Sequence, residues 1–248
     1  VDELIVNMLV GCSNDGTPQA GDSSAWLLDV SAVSGRADMD NYLYYQLFSD
    51  VEDALRVVAT GPDRDGDGAG DMVFGQSSYS VGEDEDILYT GRISLLAGVP
   101  EDDGTLEDIA DATIDAETEI LLGYTLAFGD FDGDSLEDLV TSGPLHDVGG
   151  NEDAGRLFLV SDAANSVVAG SQFITDIAST DVLGSTGSAF LGATLVVVSD
   201  LNGDGSDDVL VSEPGAGLSA DGRVLLMGGA YLTGSGRSAM DVALFGWN

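Results

Sequence analysis

The residues in this chain best placed to do chemistry are acidic, and they recur at fixed offsets. In "SDLNGDGSDDVLVSE", Asp200, Asn202, Asp204 and Asp208 fall within nine residues. "GPDRDGDGAGDMVFGQ" repeats the pattern with Asp63, Asp65, Asp67 and Asp71, and "FGDFDGDSLEDLVTSGP" with Asp130, Asp132, Asp134 and Asp138. Like charges so close repel: at about 4 Å and an effective dielectric of about 20, each pair costs on the order of 4 kcal/mol. Either the loops splay into water or a cation sits among them. Calcium takes six to eight oxygen ligands in flexible geometry. Offsets 1, 3 and 5 can supply side-chain oxygens. Offset 7 (Ala69, Leu136, Ser206) can supply a backbone carbonyl and offset 9 a carboxylate. Gly66, Gly133 and Gly203 at offset 4 permit the sharp turn. An EF-hand would need a Glu at offset 12 and flanking helices. Phe74, Thr141 and Val211 stand there instead, in β-type runs.

The opening "VDELIVN" reads as the tail of a further copy, with Glu3 at the ninth offset. Glu3, Asp71, Asp138 and Asp208 are then 68, 67 and 70 residues apart, a period that marks a repeat architecture. Other punctuation keeps the period. "GRISLLAG", "GRLFLVSD" and "GRVLLMGG" predict a strand after each loop, and "SAWLLDVS" fills that place in the first repeat. "LGYTLAFGD" and "LGATLVVVSD" predict a strand before the second and third loops. "ALRVVATGPD" precedes the first loop, with Arg56 in place of the glycine. Short apolar runs between Gly, Asp and Ser clusters indicate many antiparallel strands and argue against βαβ units. "EDDGTLEDIADATIDAETEILL" reads as an acidic connection leading into a strand.

About 68 residues with roughly four strands make one blade of a β-propeller. The expected class is all-β, a β-propeller of about three and a half blades. The blade remnant is 1–50, followed by blades at about 51–118, 119–187 and 188–248, the last incomplete. On this count the chain is part of a larger propeller or of one that other chains complete.

"LGATLVVVSDLNGDGSDDVLVSEPGAG" and "LGYTLAFGDFDGDSLEDLVTSGP" resemble FG-GAP repeats, the units of the integrin alpha-subunit β-propeller. Leu191-Gly192 stands for the family's Phe-Gly, and "SEPGAG" for its Gly-Ala-Pro. "ALRVVATGPDRDGDGAGDMVFGQSS" keeps the loop but loses both flanking signatures. The resemblance implies that the loops join adjacent strands within a blade and bind Ca2+. The ligands would be Asp63, Asp65, Asp67, Ala69 and Asp71; Asp130, Asp132, Asp134, Leu136 and Asp138; and Asp200, Asn202, Asp204, Ser206 and Asp208. Glu3 would be the last ligand of a fourth, partial site. It further implies a non-enzymatic, secreted or cell-surface protein that meets a protein or glycan ligand, or other copies of itself.

Composition bounds the alternatives. The chain has 248 residues, 44% of them hydrophobic, enough for a sizeable core, and a formal charge of −38. Such a field repels nucleic acid and anionic membranes and attracts divalent cations. No apolar run approaches the ~20 residues of a membrane span. "LVGC" ending at Cys12 matches the small-residue pattern before a lipidated cysteine, but Asp2 and Glu3 stand where a signal peptide is basic. The lone Cys12 offers no disulfide, and His146 lies in a polar loop with no triad spacing. Trp26, Trp247, Tyr42, Tyr44 and Tyr45 read as packing residues or as a carbohydrate-stacking surface, and "VGEDEDILY" as a solvated loop. The rival functions are a scaffold for a secreted polysaccharide- or lipid-active enzyme, and a subunit of an extracellular sheath or fibre.

Overall fold

The computed structural model describes residues 11–12, 22–28, 43–52, 55–81, 88–98, 104–217, 221–233 and 242–246. Glu3, Tyr42, Trp247 and the acidic run at 82–87 lie outside the described residues.

The strands are β1 (Gly11–Cys12), β2 (Asp22–Leu28), β3 (Leu43–Glu52), β4 (Leu55–Thr60), β5 (Met72–Gln76), β6 (Ser80–Val81), β7 (Leu88–Tyr89), β8 (Arg92–Leu96), β9 (Gly104–Thr105) and β10 (Ala112–Asp115). They continue with β11 (Leu126–Gly129), β12 (Asp138–Gly143), β13 (Arg156–Val160), β14 (Gly170–Phe173), β15 (Thr180–Leu183), β16 (Leu195–Val198), β17 (Asp208–Glu213), β18 (Arg223–Met227) and β19 (Val242–Gly246). Four single-turn helices are described: α1 (Leu106–Ile109), α2 (Ala163–Ser166), α3 (Ile174–Ile177) and α4 (Gly229–Leu232).

The strands form sheets ordered β1-β2-β3-β9, β14-β10-β8-β5-β4, β11-β12-β13-β15 and β16-β17-β18-β19, with β6-β7 a small hairpin. Cys12 lies on β1, Trp26 on β2, and Tyr44 and Tyr45 on β3. The chain is all-β, and its sheets are the blades of a β-propeller.

Successive sheets are glued by apolar side chains from both faces of their inner strands. Neighbouring residues of a strand point to opposite faces, and here both faces are covered. On β5, Met72 and Phe74 join Leu47, Leu55 and Leu96 between the first and second sheets. Val73 turns the other way, to Leu139, Phe158 and Val160 of the third. Val140, Leu157 and Leu159 then meet Val209, Val211, Leu225 and Met227 of the fourth. Each fully buried Leu, Ile or Phe contributes roughly 1.5–3 kcal/mol, so alternate residues of one strand stabilise two interfaces. That is why these strands read as continuous apolar runs.

Two segments pair outside their own sheets, and in parallel. β9 runs beside β3 and β14 beside β10. Each passes through a one-turn helix, α1 or α3, and returns as the outer strand of its own sheet, β10 or β15. The predicted acidic connection is therefore a short strand, a helical turn capped by Thr105 and a further strand. The capping is local: the Thr105 side chain accepts the Asp108 amide, one of the donors left free at a helix start. The expectation of antiparallel pairing holds within the blades and is corrected between them, because the crossing strands cover open sheet edges.

The Gly-Arg pairs before the third strands also serve the blade junctions. Gly91 bridges Leu122, and Gly155 bridges Leu191. Gly155 has φ +87°, and a Cβ on it would lie 2.3 Å from the Leu191 nitrogen. The following arginines hold outer strands: Arg92 Nε donates to Asp115 Oδ1 at 2.6 Å, and Arg156 Nε to Asp181 Oδ2 at 3.1 Å. In urea denaturation, Gly155→Ala is expected to cost more than 2 kcal/mol, combining backbone strain of about 1–3 kcal/mol with the clash. Gly98→Ala, at φ +77° but with open space around it, is expected to show the strain alone. Equal losses in the two variants would contradict the close approach.

Candidate metal centre

Each acidic loop joins the first and second strands of a blade: β4 to β5, β11 to β12, and β16 to β17. The ladder fixes where the ninth residue goes. Gly129 pairs with Asp138, and Val198 with Asp208, so these two carboxylates are carried on the first residue of an inner strand, and Asp71 stands one residue before β5. Asp71, Asp138 and Asp208 are 1%, 0% and 1% exposed, whereas the residues at offsets 3 to 6 are almost all exposed. A loop acid can reach water, but the ninth cannot.

Local bonds wind the first two loops alike. Asp63 accepts the Gly66 amide on Oδ1 (2.6 Å) and the Gly68 amide on Oδ2 (2.8 Å). Asp130 accepts Gly133 and Ser135 in the same way, at 2.8 and 2.9 Å. Asp65 and Asp132 each accept the amide two residues on, and so do Asp67 and Asp134. Ala69 and Leu136 are thus placed by their amides donating to Asp67 and Asp134. Offset 6 is Gly68 in one loop (φ +91°) and Ser135 in the other (φ +69°). The left-handed turn is kept at the cost of strain on the serine.

Ligand oxygens of Asp63, Asp65 and Asp71 lie within 4.8 Å of one another, as do those of Asp130, Asp132 and Asp138. Either trio could hold an ion. The fifth-offset carboxylates, Asp67 and Asp134, stand outside these trios. In the third loop Asn202 replaces the acid at offset 3 and bridges: its Nδ2 donates to Asp204 Oδ2 at 3.0 Å and to Asp208 Oδ1 at 3.4 Å. The Asn202 side-chain oxygen accepts the Asp204 amide, and Asp204 accepts that of Ser206. Asp200 adopts φ +31°, and no bond to it from the Gly203 or Gly205 amide is seen among the described residues.

The buried ninth carboxylates differ in their partners. Asp138 accepts the Phe131 amide on Oδ2 (2.9 Å) and the Asp162 amide on Oδ1 (2.8 Å). Asp208 accepts the Leu201 amide at 2.7 Å. Oδ2 of Asp71 has no hydrogen-bond donor among the described residues, and Arg64 Nε stands 3.5 Å from it. Burial pushes Asp71 and Asp138 up to about 6, and Asp208 up as well, because desolvation disfavours the charged form. Asp132 is also raised, chiefly by desolvation. Asp63 is lowered, first by the Gly68 amide. A buried acceptor without a donor and carboxylates held charged against burial are the chemistry a hard cation satisfies.

Three contributors escape a reading of the loops alone. Arg64 reaches both Asp71 and Asp111. Asp162 supplies an amide to Asp138. Asp207 locks two loops together: its amide donates to the Asp130 carbonyl at 2.7 Å, and its Oδ2 accepts the Asp130 amide at 3.1 Å. An arginine inside an acidic loop is the one signal visible in sequence; the others depend on distant pairing. His146 is half-buried, and desolvation, then Arg156, lowers its pKa.

A family model described as "FG-GAP repeat" matches residues 122–160 and 191–227. The chain carries FG-GAP repeats. The matched segments hold the second and third loops with their flanking strands, and the first loop lies outside them. The chain is similar to integrin alpha-7 of Mus musculus, 26% identical over 87% of this chain and 17% of that protein. It is 32% identical to integrin alpha-8 of Mus musculus over 43% of this chain and 8% of that protein. To integrin alpha pat-2 of Caenorhabditis elegans it is 32% identical over 38% of this chain and 6% of that protein. It thus spans at most 17% of the length of these relatives. Among the described residues no helix is long and apolar enough to cross a membrane.

The raised carboxylates set a pH dependence for the chain without metal. Unfolded, Asp71 and Asp138 titrate near 3.8; folded, near 6. The folded state binds more protons between those values. Its stability is therefore greatest at the acid end and falls as pH rises from about 4 through about 6. Each group contributes on the order of 2–3 kcal/mol to that fall. Urea denaturation in excess chelator at pH 4.5 and 7.5 checks this, and Asp138→Asn is expected to flatten the slope. A metal-free chain more stable at pH 7.5 would contradict it.

Proposed function

We propose that this chain is a calcium-binding β-propeller acting outside the cell in adhesion, ligand binding or surface assembly, with no catalytic activity of its own. The observation that carries this is the repeated burial of a ninth-offset carboxylate beneath an acidic loop, in a chain similar in sequence to integrin alpha subunits. Ca2+ would be held by Asp63, Asp65, Asp67, Asp71 and the Ala69 carbonyl. Equivalent sites would use Asp130, Asp132, Asp134, Asp138 and the Leu136 carbonyl, and Asp200, Asn202, Asp204, Asp208 and the Ser206 carbonyl. Glu3 would end a fourth site. The ion's task is structural: it neutralises the cluster and pins the loop to the strand that carries the buried acid. Loops so pinned form a rigid face that a protein or glycan can recognise.

Sites of the extracellular kind have dissociation constants near 10⁻⁴–10⁻³ M, which suits a medium rich in calcium. The blade units follow the repeat period, and further repeats from the rest of the protein or from other copies would complete the ring.

At calcium a hundredfold above the dissociation constant each site adds about 2.7 kcal/mol. Three sites, at about 2–4 °C per kcal/mol in a chain of this size, imply that chelator lowers the melting temperature by more than about 10 °C. Asp134→Ala and Asp204→Ala are each expected to remove one bound ion in native mass spectrometry. A melting curve unmoved by chelator would refute the calcium role. Calcium-dependent binding of the labelled chain to cell surfaces tests adhesion, and binding indifferent to calcium and chelator would contradict it.

A further inference from the structure

The three loops differ at their second offset, where Arg64, Phe131 and Leu201 stand. Phe131 is wholly buried in the core between the third and fourth sheets, and Leu201 is 60% exposed. The Arg64 side chain is only 6% exposed, although it issues from a solvent-facing loop. Its Nη2 holds Asp111, and its Nε lies 3.5 Å from Asp71 Oδ2. Neither Nε nor Nη1 has a hydrogen-bond partner among the described residues, and neither does Asp71 Oδ2. In the sister loops the ninth carboxylate accepts the backbone amide of the second residue, Phe131 or Leu201. In the first loop the Arg64 amide also lowers the Asp71 pKa, and the carboxylate oxygen left without a donor faces the Arg64 guanidinium.

We propose that Arg64 is the resident cation of the first loop: it neutralises Asp71 when no metal is bound, competes with a divalent ion for that carboxylate, and makes this loop the last of the three to fill. The inference rests on the calcium reading above and deepens it. A positive charge this close to one ligand opposes a second positive charge among Asp63, Asp65 and Asp71, and the buried pair is screened little by salt. The guanidinium also has somewhere to go. Arg64 lines a cavity of about 380 Å³ with Asp65, Asp111, Asn165 and a wall of alanine and valine. It can therefore turn from Asp71 while keeping Asp111. The outcome is graded: two sites occupied at low calcium and a third answering to higher concentrations.

Calcium titration calorimetry on the wild-type chain, Arg64→Met and Arg64→Lys, with native mass spectrometry to count ions, tests this. The wild type is expected to show two tight sites and one at least tenfold weaker. In Arg64→Met the weak phase should tighten at least tenfold while the metal-free melting temperature falls. Arg64→Lys, which keeps the charge, should retain the weak phase. Should Arg64→Met fold only with calcium, chelator competition starting from the loaded protein gives the same constants. Two tight sites with a weak phase unchanged or weakened in Arg64→Met would overturn the role of Arg64 and leave the calcium reading standing. No binding at any loop would overturn both.

Discussion

A carboxylate placed at the start of an inner strand, or one residue before it, between two packed sheets, is the constraint from which the rest follows. Asp138 pairs across the ladder with Gly129 and is fully buried, and its neighbours Leu139 and Val140 point into two different cores. It cannot be turned out to water without undoing both interfaces. Isolated charges in such places are expensive and are neutralised, paired or bonded. The protein meets the same demand in three ways. Asp138 takes two backbone amides, Asp208 takes amides and the Asn202 side chain, and Asp71 takes a guanidinium. None of these removes the negative charge of the acids wound above it, and that residue of charge is what a cation would answer.

Around this constraint the architecture economises. Inner strands are apolar on both faces, so each sheet stabilises its two neighbours. The outer edges are closed by strands lent from the next repeat, β9 to the first sheet and β14 to the second. Glycines at blade junctions allow backbones to meet without side chains, and the arginines after them tie down the neighbouring strands β10 and β15. The loops are coupled as well. Through Asp207 the third loop holds the first residue of the second, so whatever orders one bears on the other.

Much of this was legible in the sequence because it is local. Loop winding depends on carboxylates accepting amides two to five residues away, and recurrent offsets display that directly. The strands after Gly-Arg and before the loops are short β-branched and leucine-rich runs whose pattern survives alone, and the all-β propeller follows from their period. The crossing strands were hidden. Gly104–Thr105 has two residues, and Gly170–Phe173 is largely exposed, so neither carries an apolar signature; only a partner from another repeat makes it a strand. The helical turns at Leu106 and Ile174 lay inside mixed Thr, Ile and acidic segments with no decisive period. Arg64 stood out as a cation inside an acidic loop, but its partner Asp111 is 47 residues away, and Asp207 was hidden because Asp130 is 77 residues away.

The most direct measurement is anomalous diffraction at long wavelength from crystals grown in saturating calcium. The account expects anomalous peaks inside the acidic loops, with Asp71, Asp138 and Asp208 among the coordinating groups. Loops empty of anomalous signal under those conditions, with the buried carboxylates satisfied by protein alone, would contradict it.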